Sequence, residues 1–102
     1  PYIELPQFPG GNAELSKLIA QYTKYPRQAI KDKKQGLVLI KCSIDKEGNP
    51  KMAEVVKSVC PELDKEAMRV VGFLTMTYKF TPGKIEGQPA NMHFTIPVNF
   101  RL

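Results

Sequence analysis

The sequence predicts an α+β fold, a three-stranded antiparallel sheet with helices packed on one face. Two segments, 38–44 and 92–100, alternate apolar and polar residues with the period of a half-buried strand. A third segment, 61–74, repeats its apolar residues with the period of a helix. Three strands are few, so the sheet needs helices on one face to be stable.

The amino-terminal third is predicted to form an irregular segment followed by two helices. Residues 1–10 are rich in Pro and Gly and should be irregular, so residues 11–102 form the single domain. Asn12 can cap a helix. Its apolar residues recur at helical spacing: Leu15, Leu18, Ile19 and Tyr22. A short second helix should begin at Pro26, contribute Ala29 and Ile30 to the core, and end before Gly36.

The remaining elements follow as strand, strand, helix and strand. A strand over 37–45 places Val38, Ile40, Cys42 and Ile44 on one face. A turn containing Gly48 leads to a return strand over 50–59. Two consecutive apolar residues, Val55 and Val56, interrupt the alternation of apolar and polar residues in this strand and indicate a bulge. The helix from Cys60 carries one apolar stripe: Leu63, Ala67, Val70, Val71 and Leu74. Residues 79–90 read as a loop before the last strand.

Charge and composition narrow the function classes. The net charge is +5, and its densest cluster is Lys31–Lys34. Basic chains often meet acidic partners. However, the lysines are spread along the chain without stacking aromatics or a recognisable motif, so no nucleic-acid partner is predicted. No apolar run approaches the roughly 20 residues of a membrane span. The chain does not begin with Met, and we expect it to be part of a longer protein.

The titratable residues do not predict an active site. His93 is the only histidine and lies on the polar face of the last strand, opposite to the face of Cys42. The cysteines and the histidine lack zinc-ligand spacing. The acidic residues of the third helix suit its dipole better than acid–base catalysis. We therefore expect no enzymatic activity, no metal and no cofactor. Cys42 and Cys60 should be about 20 Å apart along the hairpin, too far for a disulfide.

The last strand contains Pro97, which cannot donate a hydrogen bond to a sheet. The strand should therefore lie at an edge, with Pro97 facing outwards. The backbone groups of Asn91, His93, Thr95 and Asn99 then share the open edge, whereas Met92, Phe94 and Ile96 bond inwards. We hypothesise that a partner strand pairs along residues 90–96.

Several segments together resemble the TonB carboxy-terminal domain, in the form found in Bacteroidetes-type energy transducers. They occur in the order typical of that family: QFPGGNAELSKLIAQYTKYP, QGLVLIKCSIDKEGNP, CPELDKEAMRVV, FTPGK and FTIPVNFRL. The resemblance runs from about Leu5 to Leu102. The FPGG segment, the YP pair and the PGK…IPVNF ending are specific in combination.

The resemblance implies a periplasmic domain of a protein anchored in the inner membrane by an amino-terminal helix. Such a domain binds the TonB box, a short extended segment of a TonB-dependent outer-membrane transporter. Inner-membrane partners harvest the proton motive force, and the domain passes it on as work for nutrient uptake. Tyr25 and Pro26 match the YP element near the box-binding edge. Tyr22 stands where family members often carry Gln or Asn, which suggests a different partner preference.

The residues predicted to bind the partner peptide come from both ends of the chain: Tyr22, Tyr25, Pro26, Ala90, Asn91, His93, Thr95 and Ile96. An alternative is an interaction or scaffolding domain at the end of a BlaR-type membrane sensor or metallopeptidase, which the upstream sequence would distinguish. An α+β domain without a peptide partner is a further reading. The open edge could also pair with a second copy to form a homodimer.

Overall fold

The protein folds into two antiparallel sheets with helices on one side of the larger sheet. The structure is a computed structural model that describes residues 1–102, except for the side chain of Met52. The elements in chain order are β1 (Ile3–Glu4), α1 (Gly11–Tyr22), α2 (Arg27–Lys31), β2 (Gly36–Ile44), β3 (Pro50–Lys57), α3 (Pro61–Thr77), β4 (Gly83–Ile85), β5 (Gln88–Ala90) and β6 (Met92–Phe100).

The larger sheet is the one that the sequence predicts, with strand order β3-β2-β6. The predicted apolar stripe of α3 is buried against it, and so are the four predicted core residues of β2. Ile96, Val98 and Phe100 of β6 complete the same core. The opposite face of the sheet carries polar side chains such as Lys41 and His93. The predicted α+β class is confirmed.

The smaller sheet, with strand order β1-β4-β5, corrects the predictions of an irregular lead-in and a loop. Ile3 pairs with Ile85, and Gln7 bridges Thr81 in the same register. Residues 1–10 are therefore held to the body of the domain. These strands were missed because segments of two or three residues are too short to show a periodicity.

Local helix predictions also need correction. Helix α1 begins at Gly11, after Gly10 in the left-handed region (φ +85°), so Asn12 lies inside the helix instead of capping it. Pro26 precedes the first turn of α2, and that helix ends at Lys31. Ala29 is buried as predicted, whereas Ile30 is 47% exposed. A helix of five residues has room for only one core position.

The two cysteines are free thiols in the structure. Cys42 is buried in the sheet, and burial raises its pKa to about 11. Cys60 lies directly before α3 and is partly buried. The register supports the expected separation, because Cys42 lies near the turn end of the hairpin and Cys60 follows the far end of β3.

The turn between β2 and β3 is held by Asp45 and Gly48. The Asp45 carboxylate accepts hydrogen bonds from the N–H groups of Glu47 and Asn49 at 3.0 and 2.8 Å. Gly48 has φ +88°, and its carbonyl accepts a 2.8 Å hydrogen bond from the N–H of Phe80. This contact connects the hairpin to the segment between α3 and β4.

Gly48→Ala should destabilise the domain more than Gly87→Ala. Both glycines have positive φ, but a Cβ at Gly48 would overlap the carbonyl oxygen of Phe80, whereas a Cβ at Gly87 meets open space. The backbone conformation should cost about 1–2 kcal/mol in each variant. The overlap should add a further ~1–3 kcal/mol at Gly48. Urea denaturation measures both free energies of unfolding, and equal losses would show that the turn gives way to the added methyl group.

Candidate functional site

The outer edge of β6 is an open strand edge. β6 is the terminal strand of the larger sheet and pairs with β2 through nine consecutive residue pairs without a bulge. The opposite edge strand, β3, is different, because its register against β2 shifts twice and it carries Lys51 and Lys57. Bulges and lysines are devices that protect an edge from pairing. β6 has the regular geometry that an added strand requires.

Contacts at β6 indicate which of its backbone groups face outwards. The Cys42 thiol on β2 lies 3.6 Å from the Phe94 carbonyl oxygen and donates to it. The Leu102 N–H, beyond the strand end, donates to Gln35 Oε1 at 2.9 Å, also on the β2 side. Because alternate residues of a strand face opposite edges, the odd-numbered residues of β6 direct their backbone groups outwards. Pro97, opposite Leu39, fits this set.

The outward backbone groups of β6 are unpaired in the part of the chain that the structure describes. No backbone hydrogen bond between these residues and another segment reaches the outer edge. His93, Thr95 and Asn99 offer both an N–H and a carbonyl there, and Pro97 offers a carbonyl. These side chains are all exposed. The edge is therefore available to a partner backbone.

A groove runs along this edge between β6 and α1. It consists of three adjoining depressions of about 520, 330 and 420 Å³, which share lining residues. We call it the β6 groove. Its walls on the strand side are His93, Phe94, Thr95, Pro97, Asn99, Phe100 and Arg101, and on the helix side Asn12, Leu15, Ser16, Ile19, Ala20 and Thr23. Leu5, Pro6 and Gln7 close one end, and Tyr25 closes the other.

The helix wall of the groove follows from small residues at helical spacing. Asn12, Ser16 and Ala20 lie four residues apart and so share one face of α1. The neighbouring face buries Leu15 and Ile19 in the core. Short side chains on the first face leave space between α1 and the strand edge. The sequence analysis missed this wall, although its spacing was visible, because nothing in the sequence indicates which element the face opposes.

Tyr25 shapes the far end of the groove. Its ring packs edge-on against Phe100, with centroids 5.5 Å apart, and its hydroxyl donates a hydrogen bond to the Lys34 carbonyl. Burial, followed by the electrostatic interaction with Cys60, raises the pKa of Tyr25 above its usual range. The tyrosine therefore remains a neutral hydrogen-bond donor at physiological pH and ties this end of the groove to the α2–β2 connection.

A charged clamp on α3 holds the link between α1 and α2. The Glu66 carboxylate accepts hydrogen bonds from the Lys24 N–H at 2.7 Å and from Arg69 Nε and Nη2 at 2.8 and 2.7 Å. Arg69 Nη2 also donates to the Tyr22 carbonyl at 2.9 Å. The clamp thus fixes the backbone on both sides of Thr23, which lines the groove. The Arg69 guanidinium lowers the pKa of Glu66.

Glu66→Gln should lower the free energy of unfolding at pH 7 by about 1 kcal/mol, because the clamp is charge-assisted but partly exposed. The folded-state pKa of Glu66 is lowered from its ordinary value of 4.5, so its contribution to stability is present above that pH and is lost as the pH falls through the folded-state pKa. The difference between variant and wild type should therefore shrink towards pH 3. Denaturation at both pH values is the measurement, with Glu47→Gln, at an exposed position of the β2–β3 turn, as the control. A loss that is equal at both pH values would contradict the charge-assisted clamp.

The structure brings together three of the predicted peptide-binding residues and separates others. Tyr25, His93 and Thr95 line the β6 groove. Tyr22 does not, because its ring packs on Phe73 of α3 with centroids 5.0 Å apart. Pro26 precedes α2 and is absent from the groove lining. Tyr22 and Pro26 therefore lie outside the groove, and their role in peptide binding stays a prediction.

The structure also divides the predicted pairing stretch 90–96 between two sheets. Ala90 belongs to β5 and pairs with Gly83 in the smaller sheet. Asn91 lies before β6, and its side-chain oxygen accepts a 3.1 Å hydrogen bond from the Lys46 N–H. Ile96 is completely buried. The groove instead extends beyond Pro97 to Arg101, so Tyr25 meets the carboxy-terminal half of β6 and not the predicted half.

The groove offers hydrogen bonding and apolar contact. Of the lining residues that the structure describes, Arg101 is the only lysine or arginine, and no aspartate or glutamate lines the groove. Among the described side chains, no group of three or more His, Cys, Asp or Glu could hold a metal ion. None of the described helices is long and apolar enough to span a membrane.

The fold places the chain in a class of solved domains. A solution structure of the Helicobacter pylori TonB carboxy-terminal domain, residues 179–285, matches with a TM-score of 0.68 and 22% identity, over 88% of this chain and 78% of that one. A second structure, of residues 194–285, matches with a TM-score of 0.63 and 21% identity, over 87% and 90% of the two chains. At these identities the likeness shows the shared fold.

The family follows from the sequence itself. The family model described as the Gram-negative bacterial TonB protein C-terminal matches residues 21–102, and the chain therefore belongs to this family. No curated protein matches the chain. The resemblance described above is thus confirmed at the level of the family.

Proposed function

We propose that this domain binds an extended segment of an outer-membrane transporter, the TonB box, by adding it as a strand to β6. Membership of the TonB carboxy-terminal family supports a transducer domain. The observation that carries the finer proposal is the outer edge of β6, which is regular, unpaired among the described residues and bordered by a groove. An extended peptide that joins a sheet edge gains main-chain hydrogen bonds, and pockets along the edge select its side chains.

The proposed pairing runs along residues 93–99 rather than 90–96. In that stretch His93, Thr95 and Asn99 supply outward donors and acceptors, while Pro97 supplies only an acceptor. The partner can therefore form one hydrogen bond fewer at Pro97 than on either side. Each such bond contributes only about 0.5–1.5 kcal/mol net, so an isolated box peptide should bind weakly. Side chains of the partner that face α1 would lie beside Ser16 and Ala20, where there is room for an apolar group.

The cellular setting is proposed from the family alone. In this proposal the domain lies in the periplasm and belongs to a protein that is anchored in the inner membrane. Inner-membrane partners harvest the proton motive force, and the domain delivers the resulting work to a TonB-dependent transporter for nutrient uptake. The domain itself is proposed to act by binding, without catalysis.

His93→Pro should weaken the binding of a box peptide while leaving the fold largely intact. The substitution removes one outward N–H, worth about two- to tenfold in affinity. Phe94→Pro is the matched variant, because it removes an N–H that faces β2 and should unfold the domain. Fluorescence anisotropy with a synthetic box peptide, from a transporter encoded with this protein, measures binding, and circular dichroism reports the fold. If His93→Pro binds as well as wild type, the partner does not pair at this edge.

Ser16→Phe should reduce peptide binding at least tenfold, because a phenyl ring on this exposed position of α1 fills the space beside the strand edge. Lys17→Phe is the control, since it adds the same ring to the neighbouring exposed position that does not line the groove. Both variants should retain the stability of the wild type. Equal affinities in the two variants would place the peptide outside the groove. If the wild type forms a concentration-dependent dimer and the Ser16→Phe variant is monomeric, the groove would instead be a site of self-association.

A further inference from the structure

Most of the net positive charge of the domain comes from one segment of the chain, although further lysines are spread along the rest of it. Residues 24–34 contain five basic residues and one acidic residue, Asp32, a net charge of +4 out of +5 for the whole chain. All of the basic residues are exposed. Together with Arg101 we call them the basic platform: Lys24, Arg27, Lys31, Lys33, Lys34 and Arg101.

Among the described residues, no cation of the basic platform forms a salt bridge with a carboxylate, and only Lys24 lies near enough to one, that of Glu66 in the clamp, to interact with it electrostatically. The ion pairs lie elsewhere, between Lys41 and Glu54, Lys51 and Asp45, and Arg69 and Glu66. Asp32 accepts a hydrogen bond from the Gln28 amide at 2.9 Å. Lys31, in the last turn of α2, compensates the helix dipole, but this role accounts for only one of the six. Clustered like charges repel one another, so their concentration favours an anionic partner.

The basic platform adjoins the far end of the β6 groove. Arg101 and Tyr25 line that end, and the Tyr25 hydroxyl donates to the Lys34 carbonyl. The Gln35 side chain accepts a hydrogen bond from the Leu102 N–H. The α2–β2 connection is therefore attached to the end of β6. A strand that leaves the groove at this end passes directly onto the platform.

We propose that the basic platform binds an acidic run in the transporter segment, on the flank of the strand that leaves the groove beside Tyr25. This inference rests on the proposed function and names a second element that the partner carries. Attraction between the platform and an acidic run raises the association rate and orients the strand before it pairs. Screening by salt should abolish most of this gain, because the Debye length falls to about 3 Å at 1 M salt.

Three synthetic peptides test the proposal: a neutral box peptide, the same peptide preceded by four glutamates, and the same peptide followed by four glutamates. Binding is measured at 50 mM and 500 mM NaCl. At low salt, one of the two acidic peptides should bind about tenfold more tightly than the neutral peptide, and the affinity of the other should change little. A strand that pairs in one direction brings only one of its flanks to the platform. The gain should largely disappear at high salt.

Charge-removing variants test whether the higher affinity of the acidic peptide depends on the basic platform. The triple change Lys31→Gln, Lys33→Asn and Lys34→Gln removes three platform charges; asparagine suits the left-handed backbone of Lys33, with φ +53°. The control triple change, Lys46→Gln, Lys79→Gln and Lys84→Gln, removes the same charge at the β2–β3 turn, the α3–β4 connection and β4. The platform variant should lose the gain from the acidic flank and keep the affinity for the neutral peptide, and the control variant should keep both.

The outcomes separate the two proposals. If the neutral peptide does not bind to wild type, the proposed function fails, and this inference fails with it. If the neutral peptide binds but both acidic peptides bind equally more tightly, only the proposed role of the platform is rejected. The same holds if the platform variant keeps the higher affinity for the acidic peptide. A further outcome would overturn the proposal: neither acidic flank increases the affinity, and the wild type binds vesicles containing phosphatidylglycerol whereas the platform variant does not. The platform would then be assigned to an anionic membrane surface.

Discussion

The ladder between β2 and β6 is the interaction on which the other features depend. Its nine pairs continue without a bulge, so every side chain of β6 keeps its face from one end of the strand to the other. Because the side-chain period is two, a shift by one residue would turn Ile96, Val98 and Phe100 out of the core. The burial of those residues therefore fixes the register. The register in turn decides which backbone groups of β6 lie on the outer edge.

The rest of the domain supports this edge without covering it. Helix α3 spans the inner face of the sheet, and its clamp of Glu66 and Arg69 holds the link between α1 and α2. Phe8 packs against Tyr78 and Phe80, with ring centroids 5.2 and 5.3 Å apart, and so attaches the amino-terminal segment. Helix α1 is thereby fixed at both of its ends. The small residues on one face of α1 do not fill the space between this helix and β6, and that space is the β6 groove.

Much of this arrangement could be read from the sequence. Pro97 alone indicated an edge strand, and the alternation around it indicated which backbone groups face outwards, because both are local properties of one strand. The apolar stripe of α3 was equally local. The groove was not predictable in the same way. Its second wall depends on where α1 lies, and the helical spacing of Asn12, Ser16 and Ala20 does not specify the element that they oppose.

The errors have a common physical origin. Tyr22 was assigned to the partner site because it stands where the resembled family often carries a polar contact residue, but its ring packs on Phe73 and does not line the groove. Ala90 was included in the predicted pairing stretch beside the last strand, whereas it belongs to β5 and the chain changes sheets at Asn91. The smaller sheet was missed because pairing between Ile3 and Ile85 joins residues from opposite ends of the chain. Each error concerns a contact that tertiary packing decides.

The geometry of the ladder also determines how the domain would respond to mechanical load. A strand added to β6 would lie parallel or antiparallel to it, so tension along that strand acts along the β2–β6 ladder and perpendicular to its hydrogen bonds. All nine pairs then share the load in shear, instead of separating one after another as in an unzipping hairpin. Shear loading requires many bonds to break together. A continuous ladder next to the proposed attachment site is therefore the arrangement that transmits tension into the core with the least extension.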